Sequence, residues 1–500
     1  MNMWNEYGFR HLSVKIFSAS VVLLLVAFHS YLQVSEAPIT KDAGQNLRMG
    51  LNFAHHGIIS LDEVEPYHPS MYREPIPVLA SAVSIALIDL GLGEAPADAY
   101  FSGSRAKLVK EQNVLWNMLL VISAFWATWV LTSSFYTSLF GAAAVFLPIP
   151  LLGPWGGPNV DSLYTDLPAA VFLVLGSAFF AHGVRKGSFI STGIAGGFFG
   201  VLALTKAAFF YVFVVIAAIA LLFGIFMFIK NKKNQGLWHA VTLTVLFLAV
   251  VAPWIIRNEV QLGSYAISDR ASLVLYIRAV KNTMTSEEAW GAIYYWAHPD
   301  IRGFLKGFMG YSSADTDFGG HLQRLNRSQD SSFAKSDLQA ELDGRPNDAI
   351  SFYRQARAER VRLIREFRSA NTKNPEAEAD HILQNKAFKM IAESPGRHLA
   401  MTGLFVWRGA FLVSLILVGA YIFAIVNKRL DVMVMVLPAA GLVAFYALLT
   451  HFIPRYGEPM IPVATVLATV MVRTLLERFI NFWIRVSKND EQDHPASLHA

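Results

Sequence analysis

Two aspartates, Asp42 and Asp166, each lie at the mouth of an apolar segment of this 500-residue chain, and Arg257 and Arg455 lie beside other apolar segments. A carboxylate near a hydroxyl can take its proton as the oxygen attacks, a role that needs only reach and a suitable pKa. Carboxylates that face basic side chains at a water boundary suggest chemistry on a phosphorylated, lipid-borne substrate. A transporter usually buries its charges nearer mid-membrane.

A simpler role is open for both aspartates. Asp42 precedes an apolar helical pattern, so it can be a helix N-cap or a first-turn anion worth about 1 kcal/mol. Asp166 can likewise cap the segment that follows it, although Thr165 could do the same. Position alone leaves capping and catalysis both open.

Glu74 follows Arg73 where the chain enters an apolar segment. It can pair with Arg73, help an aspartate to hold a hard cation, or face water. Three histidines share the loop but lack the HExxH spacing of a zinc site, so ordinary loop roles are expected for His55, His56 and His68. All three roles stay open for Glu74, and the sequence does not require a metal ion.

Three basic residues, Lys206, Arg257 and Arg455, lie close to the ends of apolar segments. Basic side chains often extend from such positions towards water, so any one of them can have that role alone. Such residues are usually richer on the cytoplasmic face, and an external location would point to an anionic ligand. The phosphate of a polyprenyl phosphate would lie at that depth, and arginine binds phosphate oxygens in pairs.

The composition predicts a polytopic membrane protein. Hydrophobic residues make up 54% of the chain and charged residues only 16%, and the mean hydropathy is +0.39. The formal charge of +5 does not indicate nucleic-acid binding, because Lys and Arg fall largely in short links between apolar runs, as orientation among membrane lipids requires. Cysteine is absent, which excludes disulfides and thiolate chemistry.

The first apolar run, about 16–34, is predicted to be a span. Its length of about 20 residues, and Pro38 after Ala37, argue against a cleaved signal. The basic N-terminus is predicted to be cytoplasmic, which places Asp42 on the external face.

The next segments are harder to assign. A span at 75–92 is predicted to return to the cytoplasm, and 114–133 to go out again, because the link between them carries Arg105, Lys107 and Lys110. The stretch 137–152 is apolar but short, and a Pro/Gly-rich sequence follows to Pro158. We predict that it is re-entrant, because a full crossing would move Asp166 to the cytoplasm.

About ten spans result. The remaining ones are predicted at 164–182, as a hairpin of two within 189–229, and at 237–256, 401–426, 432–452 and 459–474. Lys206 marks the external tip of the hairpin. Small-residue pairs within it, Gly193 with Gly197 and Gly196 with Gly200, predict close helix packing.

The predicted fold is an all-α polytopic membrane protein in four parts. These are an N-terminal transmembrane catalytic module (1–256) with an external loop (35–74), a mostly helical external subdomain (257–400), C-terminal transmembrane helices (401–478) and a cytoplasmic polar tail (479–500). Within the external part, 353–368 alternates Arg with apolar residues at helical spacing. That helix can lie on anionic headgroups or pack within its own subdomain.

Short motifs, in order over about 400 residues, resemble the GT-C superfamily of membrane glycosyltransferases, in particular the branch with protein O-mannosyltransferases and the lipid A aminoarabinose transferase. They are Asp42 with Asn46-Leu47 and His56-Gly57, Tyr72-Arg73-Glu74-Pro75, Thr165-Asp166-Leu167-Pro168, Leu202-Ala203-Leu204-Thr205-Lys206, Pro253-Trp254-Ile255-Ile256-Arg257-Asn258 with Gly263, Asn385 to Phe405, and Pro454-Arg455-Tyr456. Asp42 follows Lys41, whereas the mannosyltransferases carry an Asp-Glu pair, which argues against protein mannosylation.

The resemblance implies a GT-C fold with about 10 to 13 membrane segments in a bacterial inner membrane and a site that faces the periplasm. A sugar carried on polyprenyl phosphate would be transferred, with inversion, to a glycolipid, polysaccharide or protein. Asp42 would be the general base, and Asp166 would orient the acceptor or help to hold a cation. Lys206, Arg257 and Arg455 would bind the donor phosphate, with Arg73, Glu74 and Tyr456 as further substrate or cation contacts. No cofactor is implied beyond an optional divalent cation.

Two other classes of function stay open. A transporter or lipid flippase is favoured by the Gly/Pro-broken segment and the paired spans, but the spans carry few charges and no internal repeat is visible. A scaffold or receptor would tolerate replacement of Asp42 and Asp166. The sequence identifies neither the sugar nor the acceptor.

Overall fold

The computed structural model describes residues 3–146, 159–232, 234–269 and 271–493, and every regular element within these ranges is helical. The helices are α1 (Met3–Gln33), α2 (Lys41–His56), α3 (Pro75–Leu92), α4 (Ser104–Lys110), α5 (Gln112–Thr132), α6 (Phe135–Phe146), α7 (Asp166–Lys186), α8 (Phe189–Thr205), α9 (Ala208–Asn231), α10 (Gln235–Leu262), α11 (Ala271–Val280), α12 (Ser286–Tyr295), α13 (Pro299–Met309), α14 (Ala334–Leu342), α15 (Phe352–Ser369), α16 (Pro375–Glu393), α17 (Pro395–Val426), α18 (Leu430–Leu449), α19 (Pro454–Gly457) and α20 (Ile461–Asp493). The all-α prediction is confirmed for this part of the chain.

Among the described residues, nine helical segments are long and apolar enough to cross a membrane. They are α1, α3, α4 with α5, α7, α9, α10, α17, α18, and α19 with α20. Their outer surfaces are apolar; on α9, for example, Leu222 and Ile229 are each 67% exposed. A protein surrounded by water would bury such side chains, so the prediction of a multi-pass membrane protein is confirmed.

One end of the helix bundle is basic. Three arginines donate hydrogen bonds to carbonyl groups at the C-terminus of α5: Arg185 to Val130, Arg429 to Leu131 at 2.8 Å and Arg473 to Thr132 at 3.0 Å. Cations at this position compensate the negative end of the helix dipole. These arginines lie at or just after the ends of the spans predicted at 164–182, 401–426 and 459–474, whose alternation places all three on the cytoplasmic face, and they do share one end of the bundle. The compartment that this end faces stays a prediction.

The opposite end of the bundle contains Asp161, Ser35 and Lys110. We call it the site end, because the candidate site described below also lies there. The Asp161 carboxylate accepts hydrogen bonds from Lys110 at 2.7 Å and from the backbone amide and the hydroxyl of Ser35, both at 2.7 Å. Ser35 follows α1 and Lys110 ends α4, so the C-terminus of α1 and the N-terminus of α5 lie together. The predicted turn with Arg105, Lys107 and Lys110 at the cytoplasmic end is therefore wrong.

Helix α3 does not run between the two ends of the bundle. It lies parallel to α2, and His55 near the end of α2 contacts Asp89 near the end of α3 at 2.8 Å. Asp89 also accepts a hydrogen bond from Tyr100, and the carbonyl of the next residue, Phe101, accepts one from the Ile39 amide at 2.8 Å. Since Ile39 lies just after α1, both helices stay at the site end, and the predicted crossing at 75–92 is wrong.

The basic residues that suggested a cytoplasmic turn have specific partners instead. Arg105 contacts Asp89 at 3.1 Å and donates to the Gly93 carbonyl at 2.8 Å, while Lys107 lies over the Tyr31 ring. These partners hold the side chains at the site end, opposite the end that carries Arg185, Arg429 and Arg473.

Helix α6, which is shorter than the nine candidate spans, runs between the two ends of the bundle. It begins beside Lys15, whose Nζ lies 5.7 Å from the centroid of the Phe135 ring, and it ends beside His29, whose ring lies 5.1 Å from that of Phe146. Because α1 runs from the basic end to the site end between Lys15 and His29, α6 does the same. The re-entrant prediction for 137–152 is therefore wrong as far as Phe146, and its remainder falls in 147–158, outside the described residues.

The two topological errors cancel, so Asp166 stays at the site end as predicted. In the described ranges, ten helices run between the ends: α1, α5, α6, α7, α8, α9, α10, α17, α18 and α20. The last of them continues as a helix to Asp493, through the predicted start of the tail at 479.

Glycines bring α8 and α10 into close contact. A Cβ on Gly196 would lie 2.3 Å from the Leu243 carbonyl oxygen, and one on Gly200 would lie 3.0 Å from that of Phe247. The small-residue packing predicted for these two positions is confirmed. Gly197, on another face of α8, has nothing within 4 Å of its Cβ position.

Between α10 and α17, helices α11 to α16 form a subdomain at the site end. The arginines of α15 pair with acids of neighbouring helices: Arg354 and Arg357 with Glu341, and Arg360 with Asp380. Leu363 of the same helix is 4% exposed. Of the two alternatives for 353–368, these contacts favour packing within the subdomain over a membrane-surface helix.

Candidate functional site

Arg455 joins the two aspartates that are far apart in sequence. Its Nη2 donates a hydrogen bond to Asp42 Oδ2 at 2.7 Å, and its Nε lies 3.4 Å from Asp166 Oδ2. Asp42 lies in the first turn of α2, Asp166 is the first residue of α7, and Arg455 lies in α19. Three distant segments thus meet at one ionic cluster, as the sequence predicts.

Helix capping does not account for the aspartates. The N-cap residues of α2 and α7 are Thr40 and Thr165, and neither makes a side-chain capping hydrogen bond. The side chains of Asp42 and Asp166 contact Arg455 instead. Both carboxylates still lie where the positive end of a helix dipole stabilises an anion.

Lys206 is the second cation at Asp166. Its Nζ donates to Asp166 Oδ1 and lies 5.5 Å from the ring centroid of Tyr456 and 6.0 Å from that of Tyr446. The residue follows the last turn of α8, so its place at the tip of the α8–α9 hairpin directs it into the site. Asp166 is only 4% exposed, and two cations compensate its burial.

Arg73 contacts Asp42 from the other side. Its Nη1 lies 3.4 Å from Asp42 Oδ1, and its Nε donates to Asn46 Oδ1 at 2.9 Å. Asn46, one turn after Asp42 on α2, donates in turn to the Leu163 carbonyl at 2.9 Å. A buried amide therefore fixes the guanidinium that, together with Arg455, holds the Asp42 carboxylate.

Glu74 lies at the edge of the cluster. Its Oε1 accepts a hydrogen bond from the Ala207 amide at 3.4 Å, which places it beside the Lys206 turn. Within the described part of the chain, no group of three or more metal-ligating side chains is arranged to hold a metal ion. The role of Glu74 as a cation ligand stays a prediction.

The structure adds two residues that the sequence did not single out. Glu458, three positions after Arg455, is an electrostatic neighbour of Asp166 and Lys206, and its Oε1 is buried without a hydrogen-bond partner among the described atoms. The Tyr164 ring lies 4.4 Å from the Arg455 guanidinium. The spacing of Glu458 from Arg455, about one helical turn, could have indicated it.

Arg257 lies apart from this cluster. It donates to the Ser70 carbonyl at 3.1 Å and stacks on Trp254 at 4.8 Å, and it is not among the residues that line the cavity described below. Two residues of the same segment also bind backbone carbonyls of a loop. Trp254 donates to the Ile267 carbonyl at 3.0 Å, and Asn258 donates to the Ala266 carbonyl at 2.8 Å. The Pro-Trp-x-x-Arg-Asn segment thus holds loops on either side of the site.

A cavity of about 380 Å³ adjoins the cluster, and Asp42, Lys206 and Arg455 line it. Its polar lining includes Asp42, Arg73, Glu74, Thr165, Lys206, Arg455 and Tyr456, and its apolar lining includes Phe210, Tyr211, Phe388, Phe445 and Leu449 from α9, α16 and α18. Tyr211 is 47% exposed and Phe388 is 51% exposed, so the apolar wall reaches the surface of the bundle. A ligand with a charged head and an apolar chain matches this lining.

Fold and site together define a multi-pass helical membrane protein with an ionic cavity at one end of the bundle. No family model and no curated relative matches the chain. Solved structures with some similarity include ArnT from Cupriavidus metallidurans bound to undecaprenyl phosphate (14% identity, TM-score 0.35) and the same protein in the apo state (13% identity, TM-score 0.35). Each comparison covers 92% of this chain and 78% of ArnT. This degree of likeness does not establish the family or the function.

Proposed function

We propose that the chain is an integral-membrane glycosyltransferase that moves a sugar from a polyprenyl-phosphate donor to an acceptor hydroxyl or amine. The main support is the position of Asp42, a carboxylate held by Arg73 and Arg455 in a cavity that also has an apolar wall open to the bundle surface. The motif order of the sequence supports the same reaction class. The acceptor can be a glycolipid, a polysaccharide or a protein.

The donor phosphate would bind at Lys206 and Arg455. Both cations line the cavity, and both already contact carboxylates, so an incoming phosphate would compete for them with Asp42 and Asp166. Competition at Arg455 would free an oxygen of Asp42 to accept a proton. Donor binding would thus make Asp42 available as the base. Its carboxylate would lose the hydrogen bond from Arg455 and gain one from the acceptor hydroxyl or amine.

In the reaction, the acceptor oxygen or nitrogen attacks the anomeric carbon while Asp42 takes the acceptor's proton. The bond between that carbon and the phosphate oxygen breaks, and the polyprenyl phosphate leaves with the electron pair. Attack from the face opposite the leaving group inverts the anomeric configuration. Lys206 and Arg455 would stabilise the charge that develops on the phosphate, a contribution on the order of 3 kcal/mol in comparable sites.

The other residues would position these groups. Asp166 would hold Lys206 and Arg455, Asn46 would hold Arg73, and Arg257 would fix the loop before Arg73 through the Ser70 carbonyl. A divalent cation at Glu74 would add positive charge beside the leaving group. We further propose that the site end faces the periplasm of a bacterial inner membrane, and that the subdomain of α11 to α16 contributes to the choice of acceptor.

Radiolabelled sugar on total polyprenyl-phosphate lipids, added to membranes with and without the protein, tests the proposal. Transfer of label to endogenous acceptors only when the protein is present is the expected result. Absence of transfer with every donor tried, together with protein-dependent movement of a labelled lipid between leaflets, would instead support the flippase alternative.

A further inference from the structure

A second group of basic side chains lies between α11, α12 and α17, on the far side of the cavity wall. We call it the buried basic cluster and define it as Arg278, Lys281, Arg327 and Arg408. Arg278 is 0% exposed and Lys281 is 5% exposed, whereas Arg327 is exposed at the protein surface. None of the four lines the cavity that contains Asp42.

Aromatic rings hold three of these cations together. Lys281 Nζ lies 5.2 Å from the ring centroid of Trp296 and 5.3 Å from that of Phe405. Arg408 lies 4.5 Å from the same Trp296 ring, and Arg278 lies 4.2 Å from the same Phe405 ring. Cation–π contacts of this kind contribute about 0.5–2 kcal/mol each, but they do not neutralise charge.

Within the described residues, the contacts of the cluster are with neutral groups. Arg278 donates to the carbonyls of Ala447 and His398, at 3.1 and 2.9 Å, and to the Asn282 amide oxygen at 2.8 Å. Arg408 donates to the His451 carbonyl at 3.1 Å. No carboxylate of the described chain forms a salt bridge with any of the four.

Two donors in the cluster lack a hydrogen-bond acceptor. Lys281 Nζ has ring contacts but no hydrogen bond among the described residues, and Trp296 Nε1 is buried without a partner. Burial, followed by the nearby guanidinium groups of Arg408, Arg327 and Arg278, lowers the pKa of Lys281 well below its ordinary value. Burial likewise lowers the pKa of Arg278 to about 9. Unbalanced buried charges of one sign destabilise a fold by several kcal/mol unless a counter-charge is supplied.

We infer that the buried basic cluster is a second anion-binding site, which takes a phosphate group between Lys281, Arg408 and the Trp296 N–H, with Arg327 at its entrance. Phosphate suits these donors because it carries more than one negative charge and can accept several charge-assisted hydrogen bonds at once. The inference does not depend on the proposed transferase activity. It concerns a different set of residues.

The cluster is close enough to the cavity to communicate with it. Arg408 donates to the carbonyl of His451, and the His451 ring lies 5.6 Å from the ring of Tyr456, which lines the cavity. Leu275 and Val274, on the same helix as Arg278, also line it. A phosphate-bearing molecule bound at the cluster would therefore lie one layer of side chains from the reacting groups.

The test is thermal unfolding of the purified full-length protein with increasing inorganic phosphate, against sodium chloride of equal ionic strength. We expect phosphate to raise the midpoint temperature saturably in the wild type. Lys281→Met should raise the midpoint without phosphate, because it removes an uncompensated charge, and should increase the half-saturating phosphate concentration at least about tenfold. A lysine with a purely structural role would not change both quantities in this way.

Two further variants keep the result interpretable. Arg327→Gln changes an exposed residue, so it should fold normally and raise the half-saturating concentration about threefold. Lys306→Met removes an exposed lysine of the same subdomain and should leave the phosphate response unchanged. If Lys281→Met and Arg327→Gln both keep the wild-type response, phosphate acts only at Lys206 and Arg455, and the second site does not exist.

A second arm identifies the source of the phosphate group. The same variants are unfolded in phosphatidylcholine nanodiscs with and without phosphatidic acid, in phosphate-free buffer. Stabilisation of the wild type but not of Lys281→Met by phosphatidic acid would assign the site to a lipid headgroup, and stabilisation by inorganic phosphate alone would assign it to a soluble anion. No Lys281-dependent stabilisation in either arm would overturn the inference.

Discussion

Arg455 contacts both acids of the site, Asp42 and Asp166, and so links their two carboxylates. It bonds Asp42 at 2.7 Å and lies 3.4 Å from Asp166, while Lys206 contacts only the second of these. The two carboxylates therefore differ in their environment. Asp42 is 20% exposed and contacts Arg73 and Arg455, whereas Asp166 is 4% exposed and contacts Lys206 as well as Arg455. This difference supports a chemical role for Asp42 and a supporting role for Asp166.

Removal of the lysine tests that division of roles. Lys206→Met should destabilise the protein by about 3 kcal/mol, because it leaves the buried Asp166 with Arg455 as its remaining cation partner. Adding Asp166→Asn should recover much of the loss, since the unpaired charge disappears. Thermal unfolding of the single and double variants measures both effects. If the destabilisation of the double variant equals the sum of those of the two single variants, Lys206 and Asp166 are not coupled.

At the residue scale, the sequence predicted the cluster better than it predicted each role. Asp42, Asp166, Lys206 and Arg455 were grouped because they occupy corresponding positions at the ends of apolar segments. Arg257 has the same kind of position but makes its contacts with Ser70 and Trp254. Side-chain direction at a helix end depends on neighbouring loops, which no single-sequence pattern specifies.

The α8–α10 contact illustrates how elements fix the site. Helix α8 ends at Lys206, so any shift of α8 moves that cation, and the close approach at Gly196 holds the helix in place. Gly196→Ala would force the two helices apart and should destabilise the protein by about 1–3 kcal/mol, with a loss of transfer activity.

Gly197→Ala is a matched control on the same helix. Nothing lies within 4 Å of its Cβ position, so this change should be neutral or stabilising by up to about 1 kcal/mol. Unfolding midpoints and activity of the two variants are compared side by side. Equal effects at both positions would show that helix packing at Gly196 is not the constraint.

Helix α15 predicts a pH dependence of the subdomain. Hydrogen bonds from Arg362, and then from Lys386, lower the pKa of Glu359 to about 2, below its ordinary value. The ionised form is therefore favoured in the folded state, and its stabilisation is present at neutral pH and is lost as the pH falls from about 5 towards 2. Glu359→Gln should reduce the fall in the unfolding midpoint between pH 6 and pH 3.

Glu366→Gln serves as the control for this measurement. Glu366 pairs with the same Arg362 but is 56% exposed, so its removal should change the acid sensitivity little. An unchanged pH profile in Glu359→Gln would show that other carboxylates govern the acid response.

Helices α3 and α6 show where sequence patterns fail at the element scale. Helix α3 is apolar enough to cross, yet the partners of Asp89 and Arg105 keep both of its ends on one side. Helix α6 is short, and it runs from Lys15 to His29 because it packs along α1. Apolarity and length measure compatibility with a membrane, whereas direction is set by tertiary contacts that lie far away in sequence.

The whole molecule is a bundle with unlike ends. Arginines gather on helix carbonyls at the basic end, and the ionic cavity, the buried basic cluster and the α11–α16 subdomain lie at the other. For the proposed transferase, this arrangement would place substrate binding at one end of the bundle.

The absence of cysteine from the chain makes this topology directly testable. Single cysteines at Glu63 and Asp98, before and after α3, should react with a membrane-impermeant maleimide from the same side in intact cells. A cysteine at Lys428 should react only after the membrane is opened. Reaction of the Glu63 and Asp98 positions from opposite sides would contradict the placement of α3.

The most direct test of the central claim compares sugar transfer by purified wild type, Asp42→Asn and Asp98→Asn from a polyprenyl-phosphate donor. Asp98 is an exposed acid of the same region and should be dispensable. We expect Asp42→Asn to keep its fold and its donor binding while transfer falls about 10²- to 10⁴-fold, the usual contribution of a general base. Full transfer by a folded Asp42→Asn protein would contradict the account.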